Sequence, residues 1–216
     1  MIFDLDGTLF RTETLLLPAY HRTFRRLREE GLYAGETPPE ARFLGALGKL
    51  LPQIWREVIP DSAESVRERA DELLLMFQQE GLRQGQGELY PGVRETLERL
   101  RAQGVRLFVA SNGLEGYVKE VVRHKGIAPL FEAVYSAGEY GTASKVDLVR
   151  LLIRTHRPAA AWMVGDRASD VEAGAANGLA VIGCDYAGFG AAGELAGADR
   201  VIRRFAELAD LLEAAR

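Results

Sequence analysis

The sequence predicts an α/β protein: a parallel sheet with helices on both faces and a small inserted helical domain. Two observations predict this fold class. Five short apolar runs are mostly continuous rather than alternating, as is typical of strands covered on both faces. Helical patterns separate the later runs, and strands that alternate with helices indicate a parallel sheet joined by right-handed crossovers. We therefore expect a Rossmann-like core.

The five predicted strands follow one another along the chain at residues 1–5, 105–110, 133–136, 161–164 and 179–184. Apolar residues recur at helical spacing between the later strands, as at Val93, Leu97 and Leu100. Similar patterns at 118–122 and 149–153 predict helices after the second and third strands. These alternating elements are expected to form one sheet with helices packed against it.

The connection between the first two predicted strands breaks this alternation. About a hundred residues separate them, too many for a structureless connection in a compact domain. No convincing strand pattern lies there, but three amphipathic helical patterns do, at residues 17–27, roughly 39–55 and 66–77. We interpret residues 13–85 as an inserted helical domain, and residues 1–12 and 86–216 as the core.

Composition excludes several classes of function. The net charge of −4 and the pI of about 5.6 give no reason to expect a nucleic-acid partner. No apolar stretch approaches the roughly 18 residues of a membrane span, so no membrane partner is expected. Cys184 is the only cysteine, and no signal peptide pattern is visible. A cytoplasmic protein is the expectation, because one cysteine fits a reducing compartment.

The strongest chemical signal is the segment Asp4-Leu5-Asp6-Gly7-Thr8 at the end of the first strand. Ligands of open parallel sheets bind beyond the carboxyl ends of the strands. Two aspartates, two residues apart where the strand turns, can both reach that crevice. Gly7 lets the backbone approach a ligand closely. The bland alternative is an acidic turn after an edge strand.

Three further elements follow later strands. Ser111 and Asn112 come directly after the second strand and can form an anion cradle, although Asn-Gly is commonly only a turn. Lys145 starts the helix after the third strand, where a surface lysine is the alternative. Asp166 and Asp170 follow the fourth strand, one helical turn apart, where an aspartate can also cap a helix.

These aspartates are expected to converge on one edge of the sheet. Two like charges 4 Å apart repel by about 4 kcal/mol at an effective dielectric of 20. Four carboxylates with one lysine therefore need raised pKa values or a bound cation. Oxygen ligands without histidine or cysteine favour a hard ion such as Mg²⁺, which also binds phosphate oxygens.

The four motifs together resemble the haloacid dehalogenase superfamily of phosphohydrolases, from FDLDGTLF to ADRVIRRFAELADLL. The insertion resembles the helical cap that this family places after its first strand. Within the superfamily, TLLLPAYHRTF, YPGVRETLERLRAQG and WMVGDRASDVEAGAANG are most similar to phosphoglycolate phosphatase-like enzymes. The resemblance implies a phosphatase that hydrolyses a small phosphate monoester with Mg²⁺ through an aspartyl-phosphate.

The resemblance also implies roles for individual residues. Asp4 attacks phosphorus, and Asp6 protonates the leaving oxygen and then activates water. Ser111 and Lys145 hold the transferring phosphoryl group, and Asn112 helps to shape the site. Phosphoryl transfer depends on positioning and charge neutralisation, which this set of residues can supply.

The expected Mg²⁺ ligands come from the first and fourth motifs. They are Asp4, the backbone carbonyl of Asp6 and Asp166, with Asp170 in support. Thr8, in the first motif, is grouped with the phosphate-binding residues. The expected partner is a small phosphorylated metabolite, and the protein is expected to be a monomer or a homodimer.

Some positions depart from the family pattern. Arg11 and Thr12 stand where relatives commonly carry an acidic residue and a serine, which puts the usual hydrogen bonding at this hinge in doubt. Arg11 could bind a carboxylate on the substrate, or pair with Glu13 or a glutamate of the cap. Lys49 could contact an anionic leaving group or lie on the surface. Arg167 replaces a small hydroxyl residue and is expected to face solvent.

Three other functions remain open. A 2-haloacid dehalogenase also has Ser-Asn-Gly in its second motif, but it lacks the second aspartate of the first motif and needs no metal, so Asp6 and Asp166 favour phosphate. A phosphomutase uses the same core and retains the phosphoryl group. A non-catalytic binding protein on this fold is expected to have lost a catalytic residue, and none is lost here.

Overall fold

The computed structural model describes residues 1–188 and 192–214. Its strands are β1 Ile2–Phe3, β2 Phe10–Arg11, β3 Glu88–Leu89, β4 Phe108–Ser111, β5 Ala133–Ser136, β6 Trp162–Gly165, β7 Ala180–Cys184 and β8 Arg200–Ile202. Its helices are α1 Glu13–Glu29, α2 Glu40–Ala46, α3 Leu51–Val58, α4 Glu64–Arg83, α5 Val93–Ala102, α6 Glu115–His124, α7 Ala137–Tyr140, α8 Lys145–His156, α9 Ala168–Ala176 and α10 Glu207–Ala214.

Six strands form a parallel sheet in the order β5-β4-β1-β6-β7-β8. The central strand, β1, pairs with β4 on one side and with β6 on the other, so that Ile2 aligns with both Phe108 and Met163. The chain extends the sheet in one direction through β4 and β5 and in the other through β6 to β8. The reversal beside β1 creates the crevice where open α/β sheets bind ligands.

Both faces of the sheet are buried, as the continuous apolar runs predict. Phe3 and Val109 belong to one hydrophobic cluster, and Ile2 and Phe108 belong to another. Successive residues of a strand point to opposite faces, so a strand between two helical layers needs apolar residues at every position. The fold class predicted from the sequence is confirmed.

The helices α1–α4 form a separate helical unit, here called the cap, with its own hydrophobic cluster. Tyr20, Phe24, Phe43 and Trp55 make edge-to-face or tilted ring contacts at its centre. The second helical pattern predicted for the insertion forms two helices, α2 and α3. The helix is interrupted at Gly48, whose φ of 93° lies in the left-handed region.

Three strands escaped prediction. The strands β2 and β3 form an antiparallel pair where the chain leaves and re-enters the core, although no strand was expected between the first two predicted ones. Each has two residues, too few to show an alternating pattern. The edge strand β8 has three residues, and Val201 is half-exposed, so it lacks the apolar run of a buried strand. Among the described residues, no helix combines the length and apolar character needed to cross a membrane.

Candidate active site

The predicted motifs lie at the carboxyl ends of neighbouring strands. Asp4 follows β1, Ser111 ends β4 and Asp166 follows β6. Because β1 lies between β4 and β6, these three ends meet at one edge of the sheet. Lys145 is the first residue of α8, and Asp170 lies in the first turn of α9. The strand order therefore brings residues from all four motifs to one site.

The Lys145 ammonium links two of the aspartates. Its Nζ donates to Asp4 Oδ1 at 2.6 Å and to Asp170 Oδ1 at 2.5 Å. All three side chains are buried. Burial by itself lowers the pKa of Lys145, but Asp170 and Asp4 outweigh that effect and raise it. Lys145 is therefore a fixed positive charge beside Asp4.

Asp170 contacts Lys145 in the site and also caps the start of a helix. Its Oδ1 accepts the Lys145 hydrogen bond, while Oδ2 accepts one from the Arg167 backbone N–H at 3.0 Å and so caps the start of α9. Gly165 makes room for it, because a Cβ there would lie 2.2 Å from Asp170 Cγ. Asp170 is therefore held rigidly beneath the site.

Asp166 has an oxygen without a hydrogen bond. Thr8 Oγ1 donates to Asp166 Oδ1 at 3.1 Å, but the buried Oδ2 accepts no hydrogen bond from the residues that the structure describes, and Arg167 Nε lies 3.4 Å from it. The loop after β1 passes so close that a Cβ on Gly7 would lie 2.2 Å from this oxygen. Any larger residue at position 7 would occupy the space in front of Asp166.

This arrangement fits a divalent cation. Ligand oxygens of Asp4, Asp166 and Asp170 all lie within 4.8 Å of one another, and the residues are buried. Burial raises the pKa of each, repulsion from neighbouring aspartates adds to the rise, and the Lys145 ammonium partly opposes it. A hard cation with oxygen ligands would relieve this repulsion and use the unbonded Asp166 Oδ2. The Asp6 side chain is not part of the group, so its predicted role as a metal ligand rests on its backbone carbonyl.

Asp6 occupies a different environment two residues beyond Asp4. Two hydroxyl groups donate to its Oδ1, Thr12 Oγ1 at 2.6 Å and Tyr117 Oη at 2.5 Å. Burial raises the pKa of Asp6, and these two hydrogen bonds partly oppose the rise. Since both donors bind Oδ1, Oδ2 is left for another partner.

Sequence reasoning missed Tyr117 and undervalued Thr12. Thr12 departs from the family pattern, and this departure put the hydrogen bonding at the hinge in doubt. The Thr12 hydroxyl nevertheless donates a hydrogen bond to Asp6. Tyr117 lies 111 residues from Asp6 in sequence, on α6. Its position in the helix that follows Ser111 was the available signal, but spacing alone does not show which way a helical side chain points.

A cavity of about 60 Å³ lies between this site and the cap. The core contributes Asp4, Asp6, Ser111, Asn112 and Lys145 to its floor. The cap contributes a mainly apolar roof, which includes Leu16, Phe43, Leu47, Leu51, Ile54, Leu74 and Leu75. The polar floor and apolar roof give the cavity two chemically distinct ends.

Two side chains of the core hold the cap, one at the last turn of α2 and the other in the loop between α2 and α3. Asn112 Nδ2 donates to the Gly48 carbonyl at 2.7 Å, and Arg167 Nη2 donates to the Leu44 carbonyl at 2.9 Å. Arg167 is buried and also approaches Glu194, with Nη1 3.4 Å from Oε1. The expectation that Arg167 faces solvent is therefore wrong: cap carbonyls and carboxylates surround it.

The structure does not bring Arg11 or the Lys49 charge to the site. Arg11 Nη1 lies 2.6 Å from Glu88 Oε2 and its Nε lies 3.3 Å from Glu13 Oε1, which is the ion-pair alternative considered above. Arg11 is not among the residues lining the cavity. Lys49 lines the cavity, but its ammonium is 2.5 Å from Glu57, and its side chain is 47% exposed.

The remaining predicted contacts are at or beside the site. Ser111 is buried on the floor, where its Oγ accepts the Gly113 backbone N–H at 3.2 Å. Thr8 does not line the cavity, and instead orients Asp166 from behind. Substrate contact therefore suits Ser111 better than Thr8.

A parallel sheet with an aspartate after its first strand and buried acids at neighbouring strand ends defines a hydrolase core. The family model for haloacid dehalogenase-like hydrolases matches residues 1–178, and the chain belongs to that family. The match includes the cap and all four motifs.

Curated relatives carry several activities. The tyrosine-protein kinase PtkA of Mycobacterium tuberculosis is 31% identical over 198 residues, which cover 86% of this chain and 62% of that protein. The chain thus spans less than two thirds of that relative. A 5'-nucleotidase of Pseudomonas aeruginosa is 30% identical over 198 residues, which cover 90% of this chain and 86% of that protein. A phosphoglycolate phosphatase of Aquifex aeolicus is 27% identical over 182 residues, which cover 81% of this chain and 78% of that protein.

Solved structures share the whole architecture. A predicted phosphoglycolate phosphatase from Haemophilus somnus superposes with a TM-score of 0.81 at 24% identity, covering all of this chain and 96% of that one. At this level of identity the likeness shows the fold. The core and the helical cap therefore recur together in a second protein.

Proposed function

We propose that this protein is a Mg²⁺-dependent phosphatase that hydrolyses a small phosphate monoester through an aspartyl-phosphate on Asp4. One observation carries the proposal. Asp4 and Asp6 face the same cavity but are held differently, Asp4 by the Lys145 ammonium and Asp6 by two hydroxyl groups. One carboxylate is thereby suited to attack and the other to exchange a proton.

The chain's own residues account for each step. Asp4 attacks phosphorus as the bond to the ester oxygen breaks, and Asp6 donates its proton to that oxygen. Lys145 and Ser111 hold oxygens of the transferring group. Asp6 then takes a proton from water, which attacks the phosphorus of the aspartyl-phosphate and releases inorganic phosphate. Asp4 is regenerated, and Asp6 is again protonated.

Mg²⁺ fits the acidic cluster described above. The carboxylates of Asp4 and Asp166 and the backbone carbonyl of Asp6 would bind it, with Asp170 in support. When bound, it neutralises charge on the transferring phosphoryl group. Lys145 and Arg167 bring two positive charges to the three clustered carboxylates, and Arg167 also pairs with Glu194, so negative charge remains at the site for a cation to balance.

The size of the cavity beneath the cap favours a small substrate. We assign residues 13–85 to the cap domain, and residues 1–12 and 86–216 to the core. A cavity of about 60 Å³ is far below the several hundred Å³ of common ligand pockets. It suits a phosphate group on a short chain better than the nucleotide or protein substrates that the names of two relatives imply. The relative from A. aeolicus makes phosphoglycolate the first ester to test.

Cytoplasmic location and a monomeric or dimeric state stay predictions.

The decisive experiment is a hydrolysis screen over small phosphate esters, with Mg²⁺ and with excess chelator. We expect release of inorganic phosphate that stops in EDTA and returns with Mg²⁺. Full turnover in chelator, or chloride release from 2-chloropropionate, would favour the dehalogenase. An isomerised ester without free phosphate would indicate a mutase, and binding without any product would indicate a non-catalytic protein.

A further inference from the structure

One face of α4 forms part of the cavity roof. Asp71, Leu74, Leu75 and Gln78 all line the cavity. Their spacing of three, four and seven residues places them in one stripe along the helix. The two leucines lie between the two polar residues. The stripe therefore begins with an acidic residue and ends with an amide residue, and apolar surface separates the two.

Gln78 is a buried polar side chain without a protein partner. It is 7% exposed, and its carboxamide makes no hydrogen bond to the residues that the structure describes. Its nitrogen and oxygen are not among the enclosed side-chain atoms that lack a partner, so they stay accessible to water or to a ligand. Since Gln78 lines the cavity, a ligand bound there can supply the missing partner.

Asp71 is the second polar group of the roof. Trp55 Nε1 donates a hydrogen bond to its Oδ1, which fixes the carboxylate against α3. Within the described chain, its Oδ2 accepts no hydrogen bond. Burial raises the pKa of Asp71 to about 6, so the group is mainly ionised at neutral pH. One carboxylate oxygen therefore remains available to a donor.

The roof supplies no cation to oppose this carboxylate. In the described ranges, the cations that line the cavity are Lys145 and Lys49. Lys145 is held on the floor between Asp4 and Asp170, and the Lys49 ammonium is directed to Glu57. A negative group on the substrate's far end would meet Asp71 with no compensating charge, and like charges at an interface repel by several kcal/mol.

We propose that Asp71 and Gln78 select the leaving group of the ester, which carries hydrogen-bond donors and no negative charge. The class that fits is a small phosphorylated alcohol with a hydroxyl or amino group beyond the ester oxygen. Asp71 Oδ2 and the Gln78 carbonyl accept from those donors, and the leucines pack against the carbon chain. The proposal rests on the phosphatase function and specifies its substrate.

The test compares esters that differ in one group. The full chain with Mg²⁺ is assayed on 2-phosphoglycolate, 2-hydroxyethyl phosphate, O-phosphoethanolamine and ethyl phosphate. We expect kcat/KM for the hydroxyl and amino esters to exceed that for phosphoglycolate at least tenfold, and ethyl phosphate to fall between them. The comparison needs no variant, so it stands even where a substitution disturbs folding.

Two substitutions connect the ranking to the stripe. Asp71→Asn should raise phosphoglycolate turnover relative to phosphoethanolamine at least tenfold, because it removes the repulsion and the attraction together. Gln78→Leu should lower kcat/KM for 2-hydroxyethyl phosphate, relative to kcat/KM for ethyl phosphate, by roughly 2- to 10-fold. This factor corresponds to the loss of one neutral hydrogen bond. Glu72→Gln and Gln84→Leu are matched controls on exposed positions of the same segment. Ratios between substrates are insensitive to general loss of folded protein.

The outcomes separate the two proposals. If phosphoglycolate is the best ester and Asp71→Asn leaves its ratio to phosphoethanolamine unchanged, the specificity inference is wrong, while the phosphatase function stands. If none of the esters or p-nitrophenyl phosphate releases phosphate with Mg²⁺, the phosphatase function fails, and the inference fails with it.

Discussion

Asp71→Asn should stabilise the protein at neutral pH and leave its stability unchanged in acid. The side-chain oxygen of asparagine can keep the hydrogen bond from Trp55 Nε1. Burial raises the pKa of Asp71 from its ordinary value of 3.8 to about 6. The folded state therefore binds this proton more tightly than the unfolded chain, and folding is favoured below pH 4.

That contribution is lost as pH rises through 6. A shift of about two pKa units corresponds to about 3 kcal/mol, at roughly 1.4 kcal/mol per unit. Because Asp71 is only half-buried, solvent screening reduces the expected effect to about 1–2 kcal/mol. Above pH 7, ionised Asp71 destabilises the cap by this amount, and asparagine removes the penalty.

Urea unfolding at pH 4.5 and pH 7.5 measures the difference. The free energy of unfolding of Asp71→Asn should exceed that of the wild type at pH 7.5, and the two should approach each other at pH 4.5. Glu72→Gln, an exposed neighbour, should show no such pH dependence. Equal differences at both pH values, or a less stable variant at pH 7.5, would refute the reasoning. A destabilising carboxylate is common where function has fixed a residue.

Four further predictions concern the site. Asp4→Asn should reduce turnover of p-nitrophenyl phosphate below about a hundredth with an unchanged circular dichroism spectrum, and higher activity would refute the nucleophile. Mg²⁺ should raise the melting temperature of the wild type, but that of Asp166→Asn little or not at all; an equal rise would exclude Asp166 as a ligand. Tyr117→Phe removes a hydrogen bond that lowers the pKa of Asp6. The limb of the pH–rate profile that reports Asp6 should therefore move to higher pH when an alkyl phosphate is the substrate. A limb that does not move would contradict this contact. Arg11→Ala should change kcat/KM by less than about threefold on phosphoglycolate and p-nitrophenyl phosphate alike, because its exposed ion pairs lie outside the cavity; a tenfold loss confined to phosphoglycolate would show that Arg11 reaches the substrate.

The parts of the site that follow strands were predictable from sequence. Asp4, Ser111 and Asp166 each come directly after a buried apolar run, and parallel strands bring their carboxyl ends to one edge. Lys145 could be placed because it begins the next helix. Local pattern and sheet topology together locate such residues without knowledge of side-chain rotamers.

Contacts that depend on the direction of a side chain could not be predicted in this way. Tyr117, Asp71 and Gln78 sit on helices, where the direction of a side chain depends on how the helix rotates and packs. Arg11 illustrates the same limit: its place in sequence, just before the cap, suggested the cleft, yet Glu88 on the neighbouring strand holds it elsewhere. Partners brought together by tertiary packing have no signature in spacing along the chain.

The hydrogen bonds from Asn112 to Gly48 and from Arg167 to Leu44 make closure of the cap and binding at the floor thermodynamically reciprocal. Each donor adjoins a residue of the site, Ser111 of the floor or Asp166 of the acidic cluster, and each acceptor is a cap carbonyl. Any ligand that orders the floor residues also favours the shut form, and shutting must tighten that ligand by the same factor. Separating these segments breaks one hydrogen bond from a charged donor, worth roughly 1.5–3 kcal/mol, and one from a neutral amide, worth roughly 0.5–1.5 kcal/mol. If substrate and product exchange by opening of the cap, both bonds must break together, and Asn112 and Arg167 then resist that opening.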